Sequence, residues 1–531
     1  MAEEFRTLKS LFAQGNISRR EFLARATALG VASAIPISLW SNIAHAEQPK
    51  KGGRLRVGLS DASTSDSMDT GGGCCSVWES WIQFQFRNHL VEIDPKGKPI
   101  PELAESWEST PDAQKWIFKI RKGVEFHNGK TLDANDVVYS INHHRGDESK
   151  SPAKAVLSGI SDIKADGKHA VVIEAQGGYA DMPSLMSDYH LMIIPDGYKT
   201  WETCMGTGPY MMKNYEPGVS FFSIRNPNYW KEGRAHFDEI ETTGIHDPAT
   251  RTSALRSGNI DVMNNPDLRT IDLLGKAPGL QIIKTPGLRH FSIPMMTDIE
   301  PYNNNDVRLG LKYAIDREEL LNKILRGYGT LGNDHPIAPI SRYYAKELPQ
   351  REFDLEKTKF HFKKAGLGGH TFKLHVADKA YPGAIDTALF MKESAAKAGI
   401  NIQVVREPDD AYWTSVWRHK PWSFCSWSGR VTEDMMFSTA YAEDAKWNDA
   451  HWKHEKFNKL LKAGRIELDD TKRREIYTEM QKIVRDEGGT VVHLFTDHVI
   501  AASSKLKFEA PMAGHFEMDG QRGSEKWWFE S

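Results

Sequence analysis

The residues best suited to chemistry in this sequence are two arginines, each beside side chains that could help to hold a small molecule. Arg430 ends the segment Trp427-Ser428-Gly429-Arg430, and Arg289 stands far upstream of it. A guanidinium offers a planar fork of N–H donors that matches the oxygens of a carboxylate or a phosphate. An indole ring such as that of Trp427 can stack on a ligand. These residue types favour the binding of an anionic solute.

Each charged side chain here also has a structural interpretation. Arg430 could pair with Glu433 or Asp434 and only shape its surroundings. Arg289 could extend along the surface with its charge in solvent. His290 is a candidate ligand-binding residue, but a histidine at such a position more often satisfies a hydrogen bond in the core. The sequence leaves these alternatives open.

Four tryptophans lie close together in the chain: Trp413, Trp417, Trp422 and Trp427. Trp413 and Trp417 are four residues apart, so they would share one face of a helix. Packing in the core is expected for Trp417 and Trp422. Trp427 is the best candidate for stacking on a ligand, and Trp413 is a second candidate.

A glycine-rich loop over residues 71–76 is a further candidate, because its backbone N–H groups could approach an anion closely. Its candidate ligand-binding residues are Gly73, Cys74, Cys75 and Ser76. The two adjacent cysteines could form a strained disulfide or remain two small thiols. Both possibilities stay open from the sequence.

Motifs for catalysis or for metal binding are not found. The chain contains no Gly-x-Ser-x-Gly, no His-Glu-x-x-His, and no zinc-type spacing among its four cysteines. The pair His143-His144 is interpreted as a solvated face. We therefore expect that the protein has no catalytic residue, no cofactor and no metal, and that it is not an enzyme. Two other functional classes are kept as alternatives to a solute-binding role: an exported hydrolase, and a protein that passes its ligand state to a membrane sensor.

The elements that must position these residues mix strands and helices along the whole chain, which predicts mixed α/β lobes. Lys51–Leu59 alternates like a strand. Trp116–Ile120 and Val124–Phe126 are predicted to pair as a hairpin. Helices are predicted to begin at three aspartates: Asp133, Asp306 and Asp316.

The first 46 residues have the three parts of an export signal. Arg19-Arg20 form a basic region, an apolar run covers 26–40, and a small-x-small tripeptide ends at Ala46. The paired arginines resemble the twin-arginine signal. The apolar run is shorter than the roughly 20 residues of a membrane span. Cleavage is predicted after Ala46, so that the mature chain begins at Glu47 and is soluble in the periplasm; an exposed N-terminal helix is the alternative.

Size and charge restrict the remaining classes. The chain has 531 residues and a net charge of −3, and removal of the predicted signal leaves a charge close to −5. Such a balance gives no electrostatic footprint for nucleic acid or an anionic membrane. A chain this long is expected to fold as two or three lobes.

Five stretches together resemble the bacterial extracellular solute-binding proteins of the dipeptide, oligopeptide and nickel type. In chain order they are PELAESW at 101–107, FHNGKTLDANDVVYS at 126–140, GTGPY at 206–210, NPNYW at 226–230, and DVR with YAIDR within 306–317. Each stretch is weak alone. Five in the family's order, over nearly all of the mature chain, identify it as similar to that family.

The resemblance implies a two-lobed periplasmic-binding-protein clamp of type II, with an extra domain inserted in the first lobe and ligand bound between the lobes. Mapped on this chain, the implied segments are 47–88, 207–288 and 495–531 for the first lobe, 89–206 for the inserted domain and 289–494 for the second lobe. Hinges are expected near Arg289 and Thr496. The implied protein is a monomer that delivers a small solute to an ABC permease and its ATPase.

One departure from the family's pattern bears on the ligand. In peptide-binding members, a Gly-Trp-x-x-Asp segment of the second lobe places an Asp against the peptide's ammonium group. Here Trp427 matches, but Arg430 stands at the position of the acid, and a guanidinium repels an ammonium group. The loop 71–76 is expected to face the same cleft. An opine-like conjugate, a chelating polycarboxylate or an acidic peptide derivative would fit, with peptide or nickel-chelate binding as the alternative.

Overall fold

The structure is a computed structural model that describes residues 49–72, 76–154, 156–367 and 369–530. Within them, Lys51–Trp528 form one compact unit, and it holds every helix and strand given below apart from Phe529. The predicted cleavage site at Ala46 and Glu47 lies outside the described residues. Among the helices of the described ranges, none is long and apolar enough to cross a membrane.

Nineteen strands are found in the described ranges. In chain order they are β1 Arg54–Leu59, β2 Val91–Ile93, β3 Pro99–Pro101, β4 Ala104–Ser109, β5 Lys115–Ile120, β6 Ile160–Ala165, β7 Ala170–Ala175, β8 Tyr210–Glu216, β9 Ser220–Arg225, β10 Glu239–Gly244, β11 Val262–Asn264, β12 Leu280–Pro294, β13 Gly329–Leu331, β14 Thr371–Val376, β15 Asn401–Arg406, β16 Cys425–Trp427, β17 Thr490–Ser503, β18 Leu506–Lys507 and β19 Trp528–Phe529.

The α-helices are interspersed with these strands. They are α1 Val77–Phe86, α2 Ala134–Asn142, α3 Met182–Leu185, α4 Pro248–Arg256, α5 Ile271–Gly275, α6 Asn305–Tyr313, α7 Arg317–Ile324, α8 Leu355–Ala365, α9 Ala384–Ala396, α10 Tyr412–Ser415, α11 Glu433–Ala440, α12 Glu455–Ile466, α13 Asp470–Glu487 and α14 Gly523–Lys526. Short 3₁₀ turns cover Pro152–Lys154 and Trp201–Thr203, and Glu517–Gly520 form a tight turn with positive φ at its centre.

The largest sheet links the two ends of the chain. Its strands follow the order β16-β12-β17-β11-β1-β10-β9-β8, with β13 also paired to β17. β1 runs parallel to β10 and β11, and the other pairs are antiparallel. A separate four-stranded sheet, β4-β5-β7-β6, lies wholly within 104–175. A third sheet pairs β14 with β15 in parallel.

The long ladder between β12 and β17 is broken where the hinges are predicted. Its register shifts between Pro286 and His290, opposite the stretch Phe495–Asp497. A Cβ on Gly287 would lie 2.7 Å from the carbonyl oxygen of Thr496, so the two strands are unusually close there. A bulge bends a strand and weakens its pairing locally. The hinge assignment itself stays a prediction.

Buried side chains fall into separate apolar clusters. One is formed entirely by residues from 90 to 193, around the four-stranded sheet and α2. Two others lie between 291 and 494 and between 337 and 484. The segment 89–206, called the inserted segment below, therefore has its own core. The domain boundaries remain predictions.

Three of the motif stretches meet at a buried side chain that is not part of any of them. The amide of Asn88 donates to Glu102 at 2.8 Å. Its oxygen accepts from the Thr207 hydroxyl at 3.0 Å and from the Trp230 indole at 3.2 Å. Asn88 is fully buried, so these bonds are shielded from water. The motifs thus stabilise the fold around Asn88.

Local sequence rules located helix starts better than strand pairing. Asp133 caps α2 in a capping box with Asp136, and Asp316 accepts from the N–H of Glu319 at the start of α7. The prediction for Asp306 was wrong by two residues, because Asn304 caps α6.

The predicted hairpin was also wrong. β5 pairs with β4 and β7, and residue Glu125 only bridges to Thr131. The Asn128-Gly129 turn folds 124–126 back on the chain that follows instead.

Candidate functional site

The candidate anion donor Arg430 is positioned by a short strand and a glycine. β16 pairs with β12, with Trp427 opposite His290. Two residues later Gly429 has φ +78°, and a Cβ there would lie 2.4 Å from Cβ of Leu288 and 2.5 Å from its carbonyl oxygen. Only glycine fits such an approach at positive φ. This contact brings Arg430 beside the bulge of β12.

The guanidinium of Arg430 is partly exposed and has no acidic partner. It donates to the carbonyl of Gly429 at 2.6 Å. In the described part of the chain, no carboxylate lies within ion-pair distance of it. Glu433 accepts instead from the Tyr343 N–H at 2.7 Å, and Asp434 pairs with Arg465 at 3.2 Å. The structural interpretation in which Arg430 pairs with these two acids is therefore wrong.

Arg289 lies at the bulge and also has no ion pair within the described residues. Its guanidinium carbon lies 5.9 Å from the ring centre of Phe291. The side chain is open to solvent, yet the surrounding protein desolvates it and lowers its pKa, while Glu517 acts in the opposite direction. An open but crowded guanidinium is the environment expected at the wall of a crevice.

A narrow crevice of about 10 Å³ is lined by chain neighbours of both arginines. Its lining comes from the turn between β2 and β3, from β12, from two loops of the 340–431 region and from the chain before α14: Asp94, Pro95, Gly97, Leu288, Ile340, Ser341, Val431, Gly514 and His515. Leu288 and Val431 are the chain neighbours of Arg289 and Arg430. The crevice therefore lies where the predicted first lobe, inserted segment and second lobe meet.

His290 is placed in the core. It is fully buried, and its Nδ1 lies 3.3 Å from the carbonyl oxygen of Leu288. Burial lowers its pKa to about 4, and the charge of Arg430 adds to this effect. A neutral, buried imidazole on a paired strand fits the structural interpretation, so we assign His290 to packing and not to ligand contact.

Trp427 is likewise a packing residue in this conformation. It is 7% exposed, and its indole N–H donates to Asp449 at 3.3 Å. Trp417 donates to the same carboxylate at 3.2 Å. The rings of Trp413, Trp417, Trp427 and Trp447 follow one another at centroid distances of 5.7, 6.1 and 6.1 Å. The open end of this row is Trp447, which is 47% exposed.

Trp447 was missed by the sequence analysis. It lies outside the run of tryptophans considered there, and its contact with Trp427 spans 20 residues. Trp413 is half-buried at the other end of the row, and Trp422 is fully buried, as expected for a core residue. Of the four tryptophans in the row, Trp447 presents the most accessible ring.

The remaining candidates divide between described and undescribed residues. Ser428 is exposed between Trp427 and Gly429. Ser76 caps α1 by accepting from the N–H of Glu79 at 3.0 Å. This cap occupies its hydroxyl oxygen in the way that begins many helices. Gly73, Cys74 and Cys75 lie outside the described residues.

The interpretation of His143-His144 as a solvated face was wrong. His144 is fully buried and bonds to the Ser151 hydroxyl at 2.7 Å. Nε2 of His143 lies 2.7 Å from a carboxylate oxygen of Asp69, which joins the inserted segment to the loop before α1. Among the described residues, no group of His, Cys, Asp or Glu side chains could hold a metal ion. Cys204 and Cys425 are buried free thiols.

Comparison with known proteins identifies the family to which this chain belongs. The model of the family described as bacterial extracellular solute-binding proteins, family 5 Middle, matches residues 98–449. The chain is 24% identical to di/tripeptide-binding protein 1 of Pseudomonas aeruginosa over 446 residues, which cover 75% of this chain and 81% of the relative. It is 27% identical to the nickel-binding periplasmic protein of Escherichia coli over 289 residues, 52% of this chain and 55% of that one.

A solved structure shows the same fold. The periplasmic binding protein AgaA from A. tumefaciens R10, in complex with agropinic acid, has a TM-score of 0.72 and 22% identity over 90% of this chain and 99% of that chain. The mixed α/β binding-protein fold expected from the sequence is therefore confirmed. The chain belongs to the bacterial extracellular solute-binding proteins of family 5, which are binding components of ABC importers rather than enzymes.

Proposed function

We propose that this protein captures a small anionic solute, bearing a carboxylate, between its lobes beside Arg289 and Arg430, where opening of the clamp would widen the narrow crevice. It would do so in the periplasm as a monomer and deliver the solute to an ABC permease driven by an ATPase. The observation that supports this proposal is the pair of guanidiniums beside one crevice, neither of which has an ion pair among the described residues. Arg430 is only partly exposed and the protein around Arg289 desolvates its charge, so an anionic ligand would stabilise both.

The relatives are compatible with several ligands of this class. AgaA is described in complex with agropinic acid, an acidic solute. Other relatives are described as di/tripeptide-binding and nickel-binding. A free peptide would present its ammonium group to Arg430 if it bound as peptide-binding members do, which is unfavourable. We therefore favour an opine-like or polycarboxylate ligand over an unmodified peptide.

Native mass spectrometry of the freshly purified protein tests the proposal. We expect a retained solute of acidic composition, absent after denaturation and refolding. Its binding by the refolded protein is then measured by calorimetry with wild type, Arg430→Ala and the control Arg269→Ala. Arg269 is 82% exposed and pairs with Asp267, away from the crevice.

Loss of a buried anion's partner typically costs 3–5 kcal/mol. Arg430 is only partly buried, so we expect about 2–3 kcal/mol, a weakening of roughly 30- to 150-fold, with Arg269→Ala unchanged. A retained cationic peptide, or equal affinity in Arg430→Ala and wild type, would refute the proposal.

A further inference from the structure

The inserted segment is bound on two sides by buried ion clusters that differ in charge balance. On one side Glu102, fully buried, is held by Arg522 at 2.7 Å and by Lys231 at 2.9 Å. Glu92 and Glu525 also pair with Lys231, and Lys526 lies 3.7 Å from Glu92. Asp519 lies 3.6 Å from Lys526 and Arg234 lies 4.0 Å from Glu525. Four carboxylates thus meet four cations, a balanced cluster that fixes the inserted segment to the chain around 231 and 522.

The ionisation of the first cluster indicates that its ion pairs persist at physiological pH. Burial opposes the ionisation of Glu102, but the charges of Arg522 and Lys231 outweigh it and lower its pKa to about 2. The group stays ionised and paired at every physiological pH. We therefore treat this side of the inserted segment as a rigid joint.

On the other side the inserted segment touches α12 and α13. The N–H of Ala180 donates to the carbonyl of Arg465 at 2.7 Å. Asp181 pairs with Arg473 at 2.8 Å, and both side chains are only 4–6% exposed. Ile466 lies against Gly178, where an added Cβ would be 3.1 Å from its side chain. This contact joins two separate apolar cores.

The second cluster carries more negative than positive groups. Asp434 pairs with Arg465 at 3.2 Å, and Glu433 accepts from the Tyr343 N–H at 2.7 Å. Asp181, Glu433 and Asp434 are all buried, and they share only two guanidiniums. One oxygen of Asp181 has no hydrogen-bond partner in the described residues. Like charges so confined cannot all stay ionised, and one proton restores the balance.

Other titratable and charged groups face these carboxylates. From the inserted segment, the loop between β13 and α8 and the two helices, they are Tyr179, Arg342, Tyr343, Asp470, Arg474 and Tyr477. Arg342 pairs with Asp470, and the tyrosines stay neutral because burial raises the pKa of each of Tyr179, Tyr343 and Tyr477. Arg474 is exposed, so solvent screens its charge. Among the buried groups, three carboxylates therefore still face only the guanidiniums of Arg465 and Arg473.

We propose that the contact of Asp181 with the Glu433–Asp434 region is a proton-linked latch, which takes up one proton when the inserted segment closes on α11–α13. The inference rests on the proposed function only in assuming that the clamp opens and closes. Burial raises the pKa of Glu433 to about 7 and that of Asp434 to about 6, with Asp181 adding to both shifts. Both pKa values are raised, as expected where buried carboxylates outnumber the cations beside them.

Linkage fixes the sign of the effect. Glu433 would have a pKa of about 7 in the closed state and, if opening frees it, about 4.3 in the open state. The closed state then binds the extra proton between pH 5 and 7, and closure weakens as the pH rises through 7. From pH 5.5 to 8 the ratio of closed to open protein would fall by up to about thirtyfold.

Small-angle X-ray scattering on the full protein, freed of any retained solute by denaturation and refolding and with no solute added, tests the latch. We expect the radius of gyration of wild type to increase from pH 5.5 to pH 8. Glu433→Gln keeps an oxygen for the Tyr343 N–H but carries no charge, so it should stay compact at both pH values. The control Glu455→Gln, on the exposed face of α12 beside Lys459, should behave like wild type.

A second variant guards against misfolding of the first. Asp181→Asn leaves two carboxylates with two guanidiniums, so it should also lose the pH dependence, and circular dichroism checks that each variant is folded. A radius that does not change with pH in wild type, or that changes equally in Glu433→Gln, overturns the latch. Since no solute is added, this outcome is independent of whether an anionic ligand is found.

Discussion

Replacing Gly429 by alanine is expected to destabilise the protein by about 2–5 kcal/mol. At φ +78° an alanine would cost about 1–2 kcal/mol relative to its preferred backbone conformation. The new Cβ would also lie 2.4 Å from Cβ and 2.5 Å from the carbonyl oxygen of Leu288. Both are atoms fixed to the backbone of β12, so neither can rotate away. Overpacking of this kind costs about 1–3 kcal/mol more.

A matched glycine separates the two contributions. Gly399 lies in the same predicted lobe, has φ +79°, and has open space around the position of a Cβ. Gly399→Ala should therefore cost only the conformational 1–2 kcal/mol. Urea unfolding followed by tryptophan fluorescence would compare the two midpoints. We expect a lower midpoint for Gly429→Ala than for Gly399→Ala, and the difference measures the destabilisation caused by the close contact of residue 429 with β12.

The same substitution should also affect binding. Moving residue 429 away from Leu288 displaces Arg430 from the crevice, so affinity for an anionic solute should fall in Gly429→Ala and not in Gly399→Ala. Equal unfolding midpoints for the two variants would refute the reasoning that the close approach requires glycine.

Two further substitutions test buried polar groups. Asp334→Asn should cost about 3–5 kcal/mol in urea unfolding, because Arg317 and Arg351, both buried, each lie 2.7 Å from its carboxylate; a loss below 1 kcal/mol would contradict this. His335 is fully buried with no hydrogen-bond partner on either ring nitrogen among the described residues, and burial lowers its pKa to about 3. The unfolded chain takes up the proton first, so this residue's contribution to stability is lost as pH falls below about 6.5. His335→Phe should reduce the loss of stability between pH 7.5 and pH 5 by about 2 kcal/mol, and an unchanged pH profile would contradict the assignment.

The fold was predictable to the extent that its rules are local or its motifs are shared. Asp133 and Asp316 begin helices because a short side chain can cap the N–H groups two or three residues ahead. The hairpin was wrong because β5 finds its partner β7 more than 50 residues later, and nothing in the local sequence specifies that partner. Pairing at that distance is decided by the core of the inserted segment as a whole.

The candidate site shows the same division. Arg430 was recognisable from its type and its place after Trp427, but its lack of an acidic partner depends on where Glu433 and Asp434 point. His290 and Trp427 were candidates by type, and burial assigns them to packing. Trp447 carried no local signal, since a loop brings it to Trp427 from 20 residues further along the chain.

A single stretch of the chain connects the two proposals. Gly429 and Arg430 directly precede Val431, which lines the crevice. Thr432 caps α11 by accepting from the Met435 N–H, and Glu433 is the first residue of that helix. Only two residues separate the proposed anion donor from the proposed proton acceptor. An anion bound at Arg430 would place negative charge near Glu433 and favour its protonated form. By reciprocity, protonation of Glu433 would then strengthen anion binding by the same factor. The two proposals together therefore predict that the solute binds wild type more tightly as the pH falls from 8 to 6, and that this pH dependence is lost in Glu433→Gln. Binding that stays pH-dependent in Glu433→Gln would show that the anion site and the latch are not coupled.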